Sequence, residues 1–166
     1  MRSDMTARGL LLTMTEPPPA MEGEFNAWYD DEHMAERLSI PGFISARRWV
    51  ADCEPGEGKY LATYELESLS ILQTDKYLFH FRNQTPWSKR CLGKAVVFRR
   101  WACEQTAGGP ADPAAKGLLL LLAEHPVSAA ARQFIAPAGE PKHIGLIELS
   151  SERHPVPRGA RLYRAY

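Results

Sequence analysis

Apolar and polar positions along the chain change period several times. Residues 8–15 carry the apolar run Leu10-Leu11-Leu12 and read as a first strand. Pro17, Pro18 and Pro19 interrupt it. Then Met21, Phe25, Trp28 and Tyr29 fall on one face at about 100° per residue, which predicts a helix over 20–38 that Pro41-Gly42 ends. Alternation returns over 43–53, where Phe43, Trp49 and Ala51 point one way and Ile44, Ala46 and Val50 the other. Glu54-Pro55-Gly56-Glu57-Gly58 is a turn leading to a strand over 59–66. A second helical region is expected over 69–81, broken near Pro86, and a fourth strand over 94–105.

That order, β-α-β-β-α-β, is the split ferredoxin-like unit of an α+β fold, and it occupies residues 1–105. Residues 106–115, rich in Gly, Pro and Ala, are a linker. Residues 116–166 hold three further strands (117–124, 143–150, 161–166) and one short helix near Ser128 to Phe134. They echo the first part. Ala7-Arg8-Gly9-Leu10-Leu11-Leu12 parallels Ala115-Lys116-Gly117-Leu118-Leu119-Leu120, Lys59 to Leu66 parallels Lys142 to Leu149, and Phe98 to Trp101 parallels Tyr163 to Tyr166, at shrinking spacings of 108, 83 and 65 residues. The segment reads as a truncated, degenerate second repeat. A ferredoxin-like sheet carries helices on one face only, so the other face needs a second sheet or a ligand. A homodimer is expected to supply it, with the remnant packing within its own chain or across the dimer.

The 20 basic and 20 acidic side chains cancel, so nucleic acid and anionic membrane gain no support as partners. Cys53, Cys91 and Cys103 are widely spaced and odd in number, which argues against a disulfide framework and against a metal site. The charged start, Met1 to Arg8, lacks a secretory apolar region, and Leu10 to Leu12 is too short to span a bilayer. A cytoplasmic protein is the expectation.

Phe25-Asn26-Ala27-Trp28-Tyr29-Asp30-Asp31-Glu32-His33, followed by Arg37-Leu38, Pro41-Gly42-Phe43 and Ala46-Arg47-Arg48, resembles the dimeric α+β barrel superfamily, and within it the EthD-like branch. Tyr60 to Ser68 and Thr85-Pro86-Trp87 extend the likeness, which covers about residues 8–105. The resemblance implies a cleft between sheet and helices into which His33 projects. It does not fix a reaction, because the superfamily includes isomerases, dehydrohalogenases, decarboxylases, cyclases, monooxygenases and haem proteins.

His33 is the leading catalytic candidate, since an imidazole titrates near neutrality and can carry a proton. It is alternatively a helix-end histidine favoured by the macrodipole. Asp30 either orients that ring or stands as a solvated charge. Glu32 lies on the apolar face one turn beyond Trp28, where a low dielectric would raise its pKa toward acid–base work, unless Arg37, Arg47 or Arg48 pairs with it. Trp28 and Tyr29 are core aromatics or pocket lining. Arg47 and Arg48 point to opposite faces of their strand, so one of them at most reaches an interior cleft and holds a carboxylate or enolate. Tyr64 and Trp87 offer a hydroxyl and a flat wall. No Gly-rich phosphate loop or nucleophile elbow occurs. The expected function is therefore cofactor-independent proton transfer (isomerisation, elimination or decarboxylation) on a small aromatic, quinonoid or polyketide-like ligand. This would be a lyase or isomerase, with haem on His33 or His80 as the cofactor alternative. A non-catalytic binding or assembly module is the alternative function.

Overall fold

A computed structural model describes residues 7–166, so the part of the charged start that falls on residues 1–6 lies outside it. Eight strands are present: β1 (Gly9–Glu16), β2 (Phe43–Val50), β3 (Tyr60–Leu66), β4 (Val97–Ala107), β5 (Gly117–Ala123), β6 (Arg132–Ile135), β7 (His143–Leu149) and β8 (Ala160–Ala165). They close into one antiparallel barrel in the order β1-β3-β2-β8-β5-β7-β6-β4. Helix α1 (residues 19–38) follows β1, a 3-10 turn (Leu69–Gln73) and helices α2 (Asp75–Arg82) and α3 (Pro86–Lys94) follow β3, and the last four strands carry no helix.

Closure overturns the expectation of a ferredoxin-like unit that needs a second chain to complete a dimeric α+β barrel. The residues after the linker are not a truncated repeat of three strands laid over a finished domain. They contribute four strands, and these seal both edges of the first arc: β8 pairs with β2, and β6 with β4. Sealing both edges removes every unpaired strand margin, the condition a closed barrel satisfies. Where a helix is expected near Ser128 to Phe134, residues 128–131 form a turn and the rest belongs to β6, part of this seal. The three alanines 129–131 favour helix locally. However, Phe134 is buried inside the barrel, and its strand bridges β4 and β7.

Two layers of core result. Inside the barrel, Leu10, Leu12, Trp49, Leu61, Trp101, Leu118, Phe134 and Tyr163 interdigitate. Outside the first arc, Leu11, Phe25, Trp28, Tyr29, Tyr64 and Tyr77 fill the space between strands and helices. Strand β1 belongs to both layers and is buried at every position. The period-2 argument for β2 fails at one point. A bulge between Phe43 and Ser45 puts Phe43 with the helices and Trp49 inside the barrel, although both have odd numbers. Gly42 ends the helix-to-strand connection at φ +97°, where a Cβ would stand 2.2 Å from Ile71 Cδ1. Pro86 opens α3 at its first turn rather than breaking a helix, because no intrahelical N–H is needed there.

The barrel end beneath residues 108–115 is polar. Arg132 pairs with Glu65 and stands 3.8 Å from Glu148, and it donates to the Gly109 carbonyl (3.0 Å). Arg47, lying over Trp49, donates to the carbonyls of Asp112 (3.3 Å) and Ala115 (2.7 Å). The linker is thereby fastened across the opening.

Among the described residues, no helix is long and apolar enough to cross a membrane.

Candidate functional site

The site is set by an irregularity in α1. Its α-helical turns over Glu22–Trp28 give way to a π-turn over Tyr29–His33, closed by a bond from Met34 N–H to the Tyr29 carbonyl, before Met34–Leu38 resumes α geometry. In a regular helix, residues five apart diverge by about 140°. The wider turn instead brings His33 over Trp28, with ring centroids 4.4 Å apart and planes at 26°. Tyr29 and Tyr64 meet the imidazole edge-on at 5.2 and 6.4 Å. Such π-turns recur at functional positions.

His33 is buried and lines a cavity of about 50 Å³ in the helix–sheet layer, together with Thr13, Arg37, Tyr64, Phe81 and Phe98. Among the described residues, four polar atoms on this lining are buried without a hydrogen-bond partner: Thr13 Oγ1, His33 Nδ1, Arg37 Nη1 and the Tyr64 hydroxyl. The Glu36 carboxylate stands 3.6 Å from Arg37 Nη1, beyond bonding length. Leaving a buried polar group unpaired costs about 1–3 kcal/mol, so four around one small cavity need an explanation. Burial, then the charges of Arg37 and Arg48, lowers the His33 pKa to about 3, and the imidazole is neutral at physiological pH. Burial, with Tyr29 adjacent, raises the Tyr64 phenol well above its ordinary range, so it remains a donor. The arrangement is one neutral base facing donors from an arginine, a phenol and a threonine. It can take a proton and hold the anion left behind.

The other sequence candidates are distributed around this cavity rather than gathered in it. Trp28 supports the His33 ring from beneath, and Tyr29 and Tyr64 are on the lining. Glu32 turns away toward α3, where its Oε2 accepts from Trp28 Nε1 (3.1 Å) and Thr85 Oγ1 (2.7 Å). Asp30 is half-exposed, accepting from the Tyr166 hydroxyl (3.2 Å) with Arg48 at 4.0 Å. Arg48 is buried on the helix side among Tyr29, Tyr60 and Tyr166 (4.1, 4.9 and 4.3 Å), donating to Asn26. Arg47 faces the barrel interior, and Trp87 packs at the margin of the outer core. Thr13, Arg37, Phe81 and Arg100 were not anticipated on this lining. Arg37 could have been found one turn beyond His33, and Thr13 as a polar break in the Leu10 to Met14 run.

A larger open groove of about 470 Å³ passes Asp52, Cys53, Arg161 and Arg164. In it Arg164 donates to Asp52 (2.8 Å) and Arg161 to the Glu57 carbonyl. Among the described residues, no three His, Cys, Asp or Glu side chains converge as metal ligands. The His33 cavity as it stands is smaller than a porphyrin, and His80 lies off its lining beside Glu36 (3.7 Å).

Fold and site together define a closed eight-stranded barrel with a helix-covered cavity on its outer face. No family model matches the sequence, and no curated protein matches it. Among solved structures, the fold is similar to that of an anthrone oxidase-like protein, with a TM-score of 0.59 at 10% sequence identity, over 98% of this chain and 92% of that one. That likeness establishes related architecture. The lyase and isomerase assignments draw no support from it or from the structure.

Proposed function

We propose that this chain is an enzyme acting on a small enolisable or phenolic aromatic compound, with His33 as the base that accepts a proton from an acidic C–H or O–H. The single observation that carries this reading is the convergence of four unpartnered buried polar atoms on the His33 cavity. A substrate oxygen that becomes anionic would take bonds from Arg37, Tyr64 and Thr13. Its charge would also offset that of Arg37, one of the causes lowering the His33 pKa, so basicity would rise as the anion forms. Two weaker supports agree: the resemblance of Phe25 to His33 to the EthD-like branch, and the name of the structural neighbour, which refers to oxidation of anthrones, themselves enolisable aromatic ketones.

The test is deuterium exchange at the methylene of anthrone in D2O, followed by NMR. The protein is expected to accelerate exchange and His33→Gln to abolish the acceleration, with circular dichroism unchanged. Equal rates for the two proteins would remove the proposal. The narrowness of the cavity favours a second reading, a binding module without turnover, for which anthrone would bind and exchange would stay at the solvent rate.

A further inference from the structure

The His33 cavity is too small for any aromatic ligand as it stands. At about 50 Å³ it holds a water or two, whereas a dry cavity of roughly 150 Å³ is needed to admit benzene. Yet its floor carries the four unpartnered polar atoms, which is the expense of a site built to be filled. A ligand that satisfies them must first enlarge the space, and the lining shows where that happens. Thr13, His33, Arg37, Tyr64 and Tyr77 are buried, Tyr64 and Tyr77 within the outer core. By contrast, Phe81 is 47% exposed and Phe98 is 51% exposed, and both line the same cavity.

Large apolar side chains left half in water at the mouth of a polar-floored cavity are poorly explained by packing. Phe81 is one residue from the end of α2, just before the irregular connection 83–85, and its ring stacks on Tyr77 (6.0 Å, 29°). Phe98 lies near the start of β4, on the strand face turned to the helices. Arg100 braces the mouth, with its guanidinium 5.8 Å from the Phe81 ring and Nη2 donating to the Tyr77 hydroxyl (2.8 Å).

We propose that Phe81 and Phe98 form an aromatic gate over the His33 cavity, which a flat ring ligand parts and then occupies with its ring between them and its oxygen on Arg37, Tyr64 and Thr13. The proposal rests on the cavity being a ligand site, as in the functional reading above. It does not require that His33 perform chemistry. Phe81 and Phe98 are specificity-determining residues in this scheme. Ring width selects for passage, and the floor selects for a phenolic or enolic oxygen.

The probe is 2-naphthol, a fluorescent phenol, with association followed by stopped-flow fluorescence. Phe81→Ala and Phe98→Ala are expected to raise the association rate constant by about tenfold or more, because the opening step is removed. Phe79→Ala, at an exposed position off the lining, is expected to leave it unchanged. Phe81→Leu and Phe98→Leu serve as gentler variants should either alanine variant fail to fold. Association rates equal to the wild type in the Phe81 and Phe98 variants, or no binding by any of the proteins, would overturn the gate. The two proposals separate cleanly. If His33→Gln keeps full exchange activity while the gate variants still bind faster, the function falls and the gate stands. If exchange depends on His33 but gate variants bind at the ordinary rate, the gate falls alone.

Discussion

Trp28 and His33 stack face to face at 4.4 Å although they are five residues apart on one helix. Only the π-turn between them makes this possible, and it exchanges the positions that regular helical spacing assigns to Glu32 and His33. The imidazole goes to the interior, and the carboxylate goes to the seam with α3. The turn therefore separates the two groups, so Glu32 anchors the helix while His33 faces the cavity.

Glu32 holds Trp28 to the first turn of α3 through the indole N–H and the Thr85 hydroxyl, and its charge lies near that helix N-terminus. Glu32→Gln keeps an acceptor oxygen and is expected to cost less than about 1 kcal/mol, whereas Glu32→Ala costs about 1–3 kcal/mol. Urea unfolding measures both. Exchange activity per folded molecule is expected to persist in Glu32→Gln. Its loss at unchanged stability would put Glu32 in the chemistry instead.

His33 makes stability depend on acidity. Its folded pKa, about 3, is below the ordinary 6.5, so the unfolded chain binds the proton first as pH falls. Stability is full above pH 6.5 and declines between there and pH 3, with a slope approaching about 1.4 kcal/mol per pH unit from this one group. His33→Phe is expected to flatten that part of the profile. Urea midpoints taken at intervals from pH 7 to 4 give the slope, and parallel profiles for wild type and variant would show that the ring is not buried neutral.

The local pattern made most of the strands legible. The continuous apolar run of β1, the alternation of β3 and the turn at Glu54 to Gly58 each carry their own signal. Three features were not legible, for separate physical reasons. The three alanines 129–131 favour helix locally but form the turn into β6, which is a strand because two neighbouring edges need it. The π-turn leaves no mark in a 100° projection, which puts Glu32 on the apolar face. Closure within one chain depends on where β6 and β8 dock, and no spacing along the sequence reports that. The site was partly visible for the same reasons. His33, Trp28, Tyr29 and Tyr64 stand in aromatic-rich stretches, whereas Arg37, Phe81 and Arg100 are ordinary residues that only tertiary contact brings together.

Arg132 is the one cation between Glu65 and Glu148 at the barrel end among the ion pairs of the described residues, and it is itself buried. Burial already raises the Glu148 pKa, with Arg132 opposing it. Arg132→Met leaves two carboxylates facing each other in the interior and is expected to cost about 3–5 kcal/mol at neutral pH. Without Arg132 the raising of the Glu148 pKa goes unopposed, so the deficit grows as pH rises and shrinks as Glu148 protonates. Thermal melts at pH 5 and pH 8 should therefore bracket a smaller and a larger loss. A deficit independent of pH would mean that lost packing on Phe134, rather than charge, is responsible.

Tyr64 and Thr13 allow stability and ligand binding to be separated. Each has a buried hydroxyl oxygen without a partner among the described residues, and the Tyr64 ring is otherwise well packed between His33 and Phe43. Removing an unsatisfied hydroxyl while keeping its shape relieves a desolvation cost, so Tyr64→Phe and Thr13→Val should each raise the melting temperature or leave it unchanged, with a gain of up to about 1 kcal/mol. Where those hydroxyls exist to meet a ligand oxygen, the same substitutions should weaken 2-naphthol binding by about tenfold, the equivalent of one good hydrogen bond. Calorimetric melts and fluorescence titration on the same preparations give both numbers. A destabilised Tyr64→Phe protein that binds the probe as tightly as the wild type would show that the hydroxyl serves the fold, and the cavity would then lose its strongest claim to a ligand.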